Sequence, residues 1–239
     1  MPLVLMYHSV ARYTEDPYLI TVSPDRFEAQ MRWLWRRGMR GVSMRALLAG
    51  HDRGTAAGLV GLTFDDGYAD FADTVARVLA WYGFTATVFA VAGKLGETND
   101  WDGDGPRKQL LDAEQLRALV TLGIEIGSHG MRHNHIPAQS PRTADEEIVH
   151  SREALESIIE EPVTGFCYPY GDLDRETITS VRSAGYDYAC AVHHSGFDSR
   201  FAIPRTYVGD RDRGLRLRAK RLRHRVSTRG SRLEPAARG

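Results

Sequence analysis

The segment LVGLTFDDGYAD (residues 59–70) joins a nearly continuous apolar run to two adjacent aspartates. A parallel strand that is covered on both faces is apolar along its whole length, so residues 59–64 are predicted to form a buried strand. Asp65 and Asp66 follow directly. Because a buried carboxylate is costly unless something pairs with it, these two acids indicate a partner or a site. A helix cap would explain one of them and leave the other unexplained.

Short apolar strands alternate with amphipathic helical patterns over most of the chain. Apolar residues at helical spacing predict helices over residues 26–37, 112–122 and 144–160. Alternation of this kind implies parallel strands joined by right-handed crossovers, an α/β fold. Seven strands fit a barrel or a doubly wound sheet, and periodicity does not distinguish the two. The predicted strands are residues 3–7, 59–64, 85–91, 124–128, 164–169, 186–192 and 201–208.

A second polar cluster follows the predicted strand over 124–128, in the segment IEIGSHGMRHNHI (124–136). His129 and His133 have the spacing H-x-x-x-H, which on a helical turn lets two imidazoles point the same way and bind one metal. The alternative is a set of solvated loop histidines. The spacing alone does not decide between these two interpretations.

The aspartates and the histidines each lie just beyond the carboxyl end of a predicted strand, where sites form in parallel α/β folds. One carboxylate and two imidazoles would make a three-ligand site with an open position, which suits Zn²⁺ or another first-row divalent ion. Such an ion lowers the pKa of a bound water, and the second carboxylate could then act as the base.

These motifs resemble those of the polysaccharide deacetylases, carbohydrate esterase family 4. LTFDDGYAD is followed by EIGSHGMRH, and the looser motifs occur in the family's order over residues 3 to about 208. The YPYG and MYH motifs resemble one branch of the family. The looser motifs are VLMYHSV (4–10), FCYPYGDLD (166–174), AGYDYACAV (184–192) and FAIPRTYV (201–208).

The resemblance implies a distorted (β/α)7 barrel over residues 1–210 and hydrolysis of an acetyl group on an N-acetylated sugar, glycan precursor or glycoconjugate. It makes Asp65 the catalytic base and assigns the metal ligands to Asp66, His129 and His133. It also implies that a backbone N–H near Tyr170 stabilises the oxyanion. Trp101 and Tyr170 could present aromatic faces to a sugar, although a core or lid role fits Trp101 equally.

Two departures from the family pattern affect the assignment of the remaining catalytic groups. Many members carry R-P-P-Y at the third motif, where this chain has Cys167 in the Arg position. Many also carry a late leucine–any–histidine motif that supplies the general acid, and it is absent here. His8, at the end of the first strand, is the candidate for the missing imidazole, and Arg205 is the candidate for the missing cation. A strand-end histidine and a surface salt bridge are the respective structural alternatives.

The formal net charge of zero conceals a strong asymmetry. Residues 211–239 carry 11 Lys and Arg against 2 Asp and Glu, so the preceding domain is acidic and the tail is basic. We expect this tail to be helical or disordered. If it is helical, one face carries Leu215, Ala219, Leu222 and Val226, and an anionic membrane surface is then a possible partner. Nucleic-acid binding is not expected.

Neither a secretion signal nor an apolar run of membrane-spanning length is evident. The two cysteines are expected to be reduced and buried. Together these features predict a cytoplasmic protein, with a peripheral location at the inner membrane face as the alternative. The leading functional hypothesis is therefore a metal-dependent deacetylase. The alternatives are a hydrolase of a non-sugar amide on the same fold and a catalytically impaired carbohydrate-binding relative.

Overall fold

The computed structural model describes residues 1–193, 195–197, 199–228 and Leu233. Most of its strands form a single parallel sheet, and a short pair formed by β2 and β3 stands apart from it. The strands are β1 (Val4–Tyr7), β2 (Ser9–Val10), β3 (Thr21–Val22), β4 (Arg40–Val42), β5 (Leu59–Phe64), β6 (Thr87–Ala90), β7 (Glu125–Ser128), β8 (Gly165–Cys167), β9 (Tyr188–Ala191), β10 (Ile203–Pro204) and β11 (Thr206–Tyr207).

The helices lie between the strands and cover the sheet. They are α1 (Pro24–Trp35), α2 (Met44–Asp52), α3 (Ala76–Tyr82), α4 (Ala113–Thr121), α5 (Pro141–Asp145), α6 (Ser151–Ile159), α7 (Arg175–Ser183) and α8 (Gly214–Ser227). A π-helical turn precedes α3 at Phe71–Val75, and another joins α5 to α6 at Glu146–His150. The helix predicted over 144–160 is therefore a composite of α5, this turn and α6.

The sheet curls into a nearly closed barrel in the order β10-β9-β8-β7-β6-β5-β1-β11, with β4 paired to the start of β5. β10 pairs with β9 and β11 pairs with β1, so one short stretch of chain, interrupted at Arg205, links the two ends of the sheet. If β10 and β11 are counted as one interrupted strand, the barrel has seven strands. The predicted α/β fold, a distorted (β/α)7 barrel, is confirmed, and the last predicted strand (201–208) is split in two.

Alternation along β5 decides which side chains enter the barrel. Val60, Leu62 and Phe64 belong to the core between the sheet and the surrounding helices. The intervening Gly61 faces Met44 and Leu47 of α2, which lie against the barrel interior. Because side chains alternate with a period of two, the position after Phe64 points inward again, and that position is Asp65.

The basic tail contains α8. Of the two predicted states, helical or disordered, the described part of the tail is therefore largely helical. The helix contacts the barrel, since Lys220 donates a hydrogen bond to the carbonyl of Tyr207 and pairs with Asp212. Residues 229–232 and 234–239, on which the prediction of disorder falls, lie outside the described residues.

The domain boundary at residue 210 and the cytoplasmic location stay predictions. Within the described ranges, every helix is too short or too polar to cross a membrane.

Candidate active site

The polar residues singled out in the sequence converge at the carboxyl ends of the barrel strands. Asp65 and Asp66 follow β5, and His129 follows β7, with His133 one turn of loop further on. β5, β6 and β7 are consecutive neighbours in the sheet, which places their ends side by side. His8 follows β1, the neighbour of β5 on its other side.

Asp66, His129 and His133 form a compact buried cluster. Oδ1 of Asp66 lies 3.3 Å from Nε2 of His129 and 3.3 Å from Nε2 of His133. The three ligand atoms all lie within 4.8 Å of one another. Within the described part of the chain, Oδ1 of Asp66 is buried and has no hydrogen-bond partner. An unpartnered buried oxygen facing two imidazole nitrogens is the arrangement that a bound cation completes.

Hydrogen bonds and charges set the protonation of this cluster. Nδ1 of His129 donates a hydrogen bond to the Cys167 carbonyl at 2.8 Å, which directs Nε2 at Asp66. Burial acts to lower the pKa of His129, but Cys167 and Asp66 raise it well above its ordinary value, so a cation bound here would replace a proton. Burial lowers the pKa of His133 and so favours its neutral ring. Burial acts to raise the pKa of Asp66, but the facing imidazoles hold it well below its ordinary value. These residues fit a divalent cation, because one carboxylate and two imidazoles are a common donor set for such ions.

Asp65 points into the barrel and is held by Arg205. The guanidinium donates two parallel hydrogen bonds to the carboxylate, from Nη1 to Oδ1 at 2.6 Å and from Nη2 to Oδ2 at 2.7 Å. Burial acts to raise the pKa of Asp65, but the Arg205 charge outweighs it and lowers the pKa below its ordinary value. Asp65 is therefore ionised and fixed in orientation.

The Arg205 side chain lies against Cys167. Its Nη2 lies 3.0 Å from Sγ of Cys167, its Nε donates to the Ala191 carbonyl, and its Nη1 also donates to Thr63 Oγ1. The chain thus brings a guanidinium to the position next to Cys167 from a different strand. Both Cys167 and Cys190 are free and buried, as predicted, and burial raises the pKa of the Cys167 thiol.

His8 lies beside the same carboxylate. Its Nε2 is 4.0 Å from Oδ2 of Asp65, and its side chain is 18% exposed. Among the described residues its buried Nδ1 has no hydrogen-bond partner. His8 is therefore a partly accessible imidazole beside the carboxylate, and a satisfied strand-end histidine does not describe it.

Trp101 and Tyr170 flank the ring of His133. Trp101 stacks on it with ring centroids 4.5 Å apart, and Tyr170 meets it edge-on at the same centroid distance. Tyr170 is 44% exposed and also stacks on His135 at 3.8 Å. One face of each aromatic ring is therefore occupied by a histidine, and the opposite face is the one that a ligand could use.

Three residues of the site adopt left-handed backbone conformations that are unfavourable for side chains other than glycine. The φ angles are +69° at Asp66, +62° at His133 and +59° at Tyr170. Such residues cost on the order of 1–3 kcal/mol each and persist where the surroundings enforce them. Because the left-handed turn at Asp66 reorients its side chain relative to Asp65, the two adjacent acids serve different neighbours.

Glu147, which the sequence analysis did not identify, anchors the loop that carries the two histidines. It is fully buried in the π-helical turn between α5 and α6. Its Oε2 accepts hydrogen bonds from the backbone N–H groups of Met131 and Arg132, and its Oε1 accepts one from the Asn134 side chain. A Cβ on Gly130 would lie 2.6 Å from Oε2. In the sequence, Glu147 could have been identified as an acidic residue within an otherwise apolar helical stripe.

A fixed, ionised carboxylate beside a buried Asp–His–His cluster, at the carboxyl end of a parallel barrel, is the arrangement expected of metal-assisted hydrolases. A family model described as polysaccharide deacetylase matches residues 52–189, more than half of the chain. The chain therefore belongs to the polysaccharide deacetylase family. His8 and Arg205 lie outside the matched residues.

The individual relatives are distant. The chain is 28% identical over 185 residues to the Bacillus subtilis protein YxkH, covering 77% of this chain and 61% of that protein. It is 21% identical over 203 residues to a Staphylococcus aureus poly-beta-1,6-N-acetyl-D-glucosamine N-deacetylase, covering 80% and 68%. Among solved structures, a Streptococcus pyogenes deacetylase in complex with acetate superposes with a TM-score of 0.77 at 19% identity, covering 92% and 97%. This likeness shows that the fold is shared.

Proposed function

We propose that this chain is a metal-dependent deacetylase that hydrolyses an N-acetyl group on a sugar or glycan. The observation that carries the proposal is that the adjacent residues Asp65 and Asp66 contact different groups. Asp66 faces two histidine nitrogens at 3.3 Å, while both carboxylate oxygens of Asp65 are paired with Arg205. Family membership supplies the reaction class, and the S. aureus relative is named for a substrate that is an N-acetylated glucosamine polymer.

We assign the metal ligands to Asp66, His129 and His133, and propose Zn²⁺ as the ion because two imidazoles and one carboxylate are a preferred zinc set. When bound, the ion would supply Lewis acidity toward the acyl oxygen and lower the pKa of water. The chain's part is to hold the histidine rings in orientation. The hydrogen bond from His129 to the Cys167 carbonyl does this on one side of the cluster.

Asp65 is the proposed general base, which takes the proton from the attacking water. Arg205 is its positioning residue: it keeps the carboxylate ionised and holds both oxygens in place, although Arg205 itself touches no substrate. His8 is the proposed general acid, which gives a proton to the departing amine. A positioned acid or base of this kind contributes about 10²–10⁴-fold to the rate.

Tyr170 and Trp101 are proposed to contact the sugar and the acyl group. Tyr170 lies in a tight turn that follows β8, where its backbone N–H could face the developing negative charge on the acyl oxygen. Both rings border His133, and their faces opposite the histidines would receive the sugar. These roles rest on position beside the histidine cluster.

The test is acetate release from N-acetylglucosamine oligomers by the purified protein, with and without a chelator. We expect turnover that chelation abolishes and Zn²⁺ restores. Asp65→Asn should lower kcat by at least about 100-fold while the protein still binds the metal, because the base is lost and the ligands are intact. His133→Ala should lose the metal, as read by metal analysis after gel filtration.

Matched controls separate the site from the scaffold. His51, an exposed histidine on α2, should tolerate replacement by Ala with no loss of metal or activity. Failure of the wild-type protein to retain any divalent ion would exclude the proposed chemistry. Turnover of simple acetamides with no activity on N-acetylated sugars would instead assign the chain to non-sugar amides.

A further inference from the structure

Helix α8 presents an apolar stripe to solvent. Leu215, Leu222 and Val226 are 84%, 63% and 66% exposed, and Ala219 between them is exposed as well. With about 3.6 residues per turn, these four positions fall on one face over the length of the helix. Exposed apolar side chains are common singly, but an aligned series on one helix indicates an interaction surface.

The stripe lies on the side of α8 that faces away from the barrel. The buried residues of the helix are Leu217 and His224. Each lies two residues after a member of the stripe, which is roughly 200° around the helix, so the buried face and the stripe are nearly opposite. α8 is thus anchored by one face and free to contact a partner along the other.

Arginines border the stripe on both sides. Arg216 and Arg223 fall on one flank, at roughly 90° from its centre, and Arg218 and Arg225 fall on the other. All four are exposed, and within the described part of the chain none has an acidic partner. α8 as a whole carries six Lys and Arg and no acidic residue.

One further positive charge, from outside α8, adjoins the same helix. Burial and the charges of Arg225 and Arg37 lower the pKa of Arg221, so the segment after α1 brings an additional arginine close to α8. Like charges that are packed together without acidic partners repel one another. An anionic partner would relieve this repulsion.

We propose that α8 docks the protein onto an anionic lipid bilayer. Leu215, Leu222 and Val226 insert at the boundary between headgroups and acyl chains, and the flanking arginines contact headgroup phosphates on both sides. A helix lying in the plane of a membrane needs this arrangement, an apolar face between two rows of cations. A nucleic acid would use the arginines but would leave the apolar stripe in water, so the bilayer accounts for more of the surface.

The experiment is sedimentation of the full-length protein with vesicles, without substrate, so that its result is independent of the proposed deacetylase activity. The vesicles are pure phosphatidylcholine or equal parts phosphatidylcholine and phosphatidylglycerol. We expect binding to the anionic vesicles only, weakened by salt. Arg218→Gln/Arg225→Gln should lower the partition coefficient by about 30-fold, which is about fivefold for each charge near the surface.

Leu222→Ser/Val226→Ser should lower it by at least about tenfold, because two apolar side chains no longer leave water on binding. Leu122→Ser is the matched control: it replaces a leucine that is 64% exposed at the end of α4, and vesicle binding should not change. Circular dichroism confirms that each variant retains its helices. Equal binding to both vesicle types overturns the proposal. So does binding to a DNA duplex that depends on the arginines, combined with vesicle binding that is insensitive to Leu222 and Val226.

Discussion

His8 is the proposed replacement for the missing late histidine motif. Its imidazole lies 4.0 Å from the Asp65 carboxylate, is partly accessible, and has a buried Nδ1 that is unpartnered within the described residues. The strand that precedes it pairs with β5, so the two catalytic candidates occupy equivalent ends of neighbouring strands. An acid that approaches from β1 can therefore serve the same acyl group as a base from β5.

We predict that His8→Ala lowers kcat by about 10²–10⁴-fold, because the departing amine loses its proton donor. Metal content should stay at the wild-type level, since His8 is not one of the clustered ligands. Steady-state kinetics on an N-acetylglucosamine oligomer, with metal analysis on the same sample, checks both points. A variant with unchanged kcat would remove His8 from the catalytic set.

At the level of secondary-structure elements, the loop that carries His129 and His133 depends on a helical turn that contributes none of the proposed metal ligands. The left-handed residues Gly130 and His133 curl the loop back so that His129 and His133 face the same oxygen. Glu147 fixes this curl by accepting hydrogen bonds from consecutive backbone N–H groups. The π-helical turn that contains Glu147 adds one residue to the helix, a feature found frequently at functional sites.

We predict that Glu147→Ala weakens Zn²⁺ binding by about 10- to 100-fold, the usual effect of removing a group that orients metal ligands. Isothermal titration of the metal-free protein measures the affinity directly. Glu147→Gln should retain more affinity than Glu147→Ala, since its amide oxygen can still accept one of the loop hydrogen bonds.

Glu146 is the matched control for this prediction. It neighbours Glu147 in the same turn but pairs at the surface with the side chains of Arg132 and Arg142. Glu146→Ala should leave Zn²⁺ affinity within about twofold, because surface ion pairs contribute little. Equal losses of Zn²⁺ affinity in Glu146→Ala and Glu147→Ala would mean that the negative charge of the turn holds the loop. The Glu147 hydrogen bonds would then not be the cause.

In the whole molecule, Arg205 joins the two ends of the sheet through the barrel interior. It lies between β10 and β11, the pieces of chain that meet the two ends, and its guanidinium contacts groups on β5, β8 and β9. The ion pair with Asp65 therefore has two consequences. It orients the proposed base, and it ties the last strand of the barrel across to the middle of the sheet.

We predict that Arg205→Met destabilises the protein by about 3–5 kcal/mol, because the Asp65 carboxylate is left buried without a partner. Asp65→Asn/Arg205→Met should be more stable than Arg205→Met alone, with a coupling energy of about 2 kcal/mol. Urea denaturation in the presence of chelator measures these values without a contribution from bound metal.

Arg200→Met serves as the comparison for this cycle. Arg200 is also a buried arginine, but its partner Asp52 is partly exposed and solvated. Its loss should cost about 1 kcal/mol, and it should show no coupling to Asp65→Asn. Additive effects of Asp65→Asn and Arg205→Met would contradict the interpretation that this ion pair holds the barrel together.

Much of the fold follows from local patterns in the chain. The strand over 59–64 was predicted with the bounds that the structure has, because a fully buried strand is apolar throughout and ends abruptly at Asp65. The short strands β2, β3 and β4 and the helices α2, α3 and α7 were not among the predicted elements. The three strands span only two or three residues, too few for a periodicity to show, and tertiary packing stabilises them. α2 and α7 are as long as α4, so their apolar periodicity was available in the sequence and was overlooked.

The same division applies to the site. The DD pair and the H-x-x-x-H spacing predicted that one of the two aspartates lies near His129 and His133, because sites form where parallel strands end. The choice of Asp66 came from the family resemblance. The partner of Asp65 and the support from Glu147 involve residues 140 and 16 positions away along the chain from the groups they contact. No local periodicity encodes such contacts. They depend on which strands become neighbours when the barrel closes, and that closure brings Arg205 to the Asp65 carboxylate.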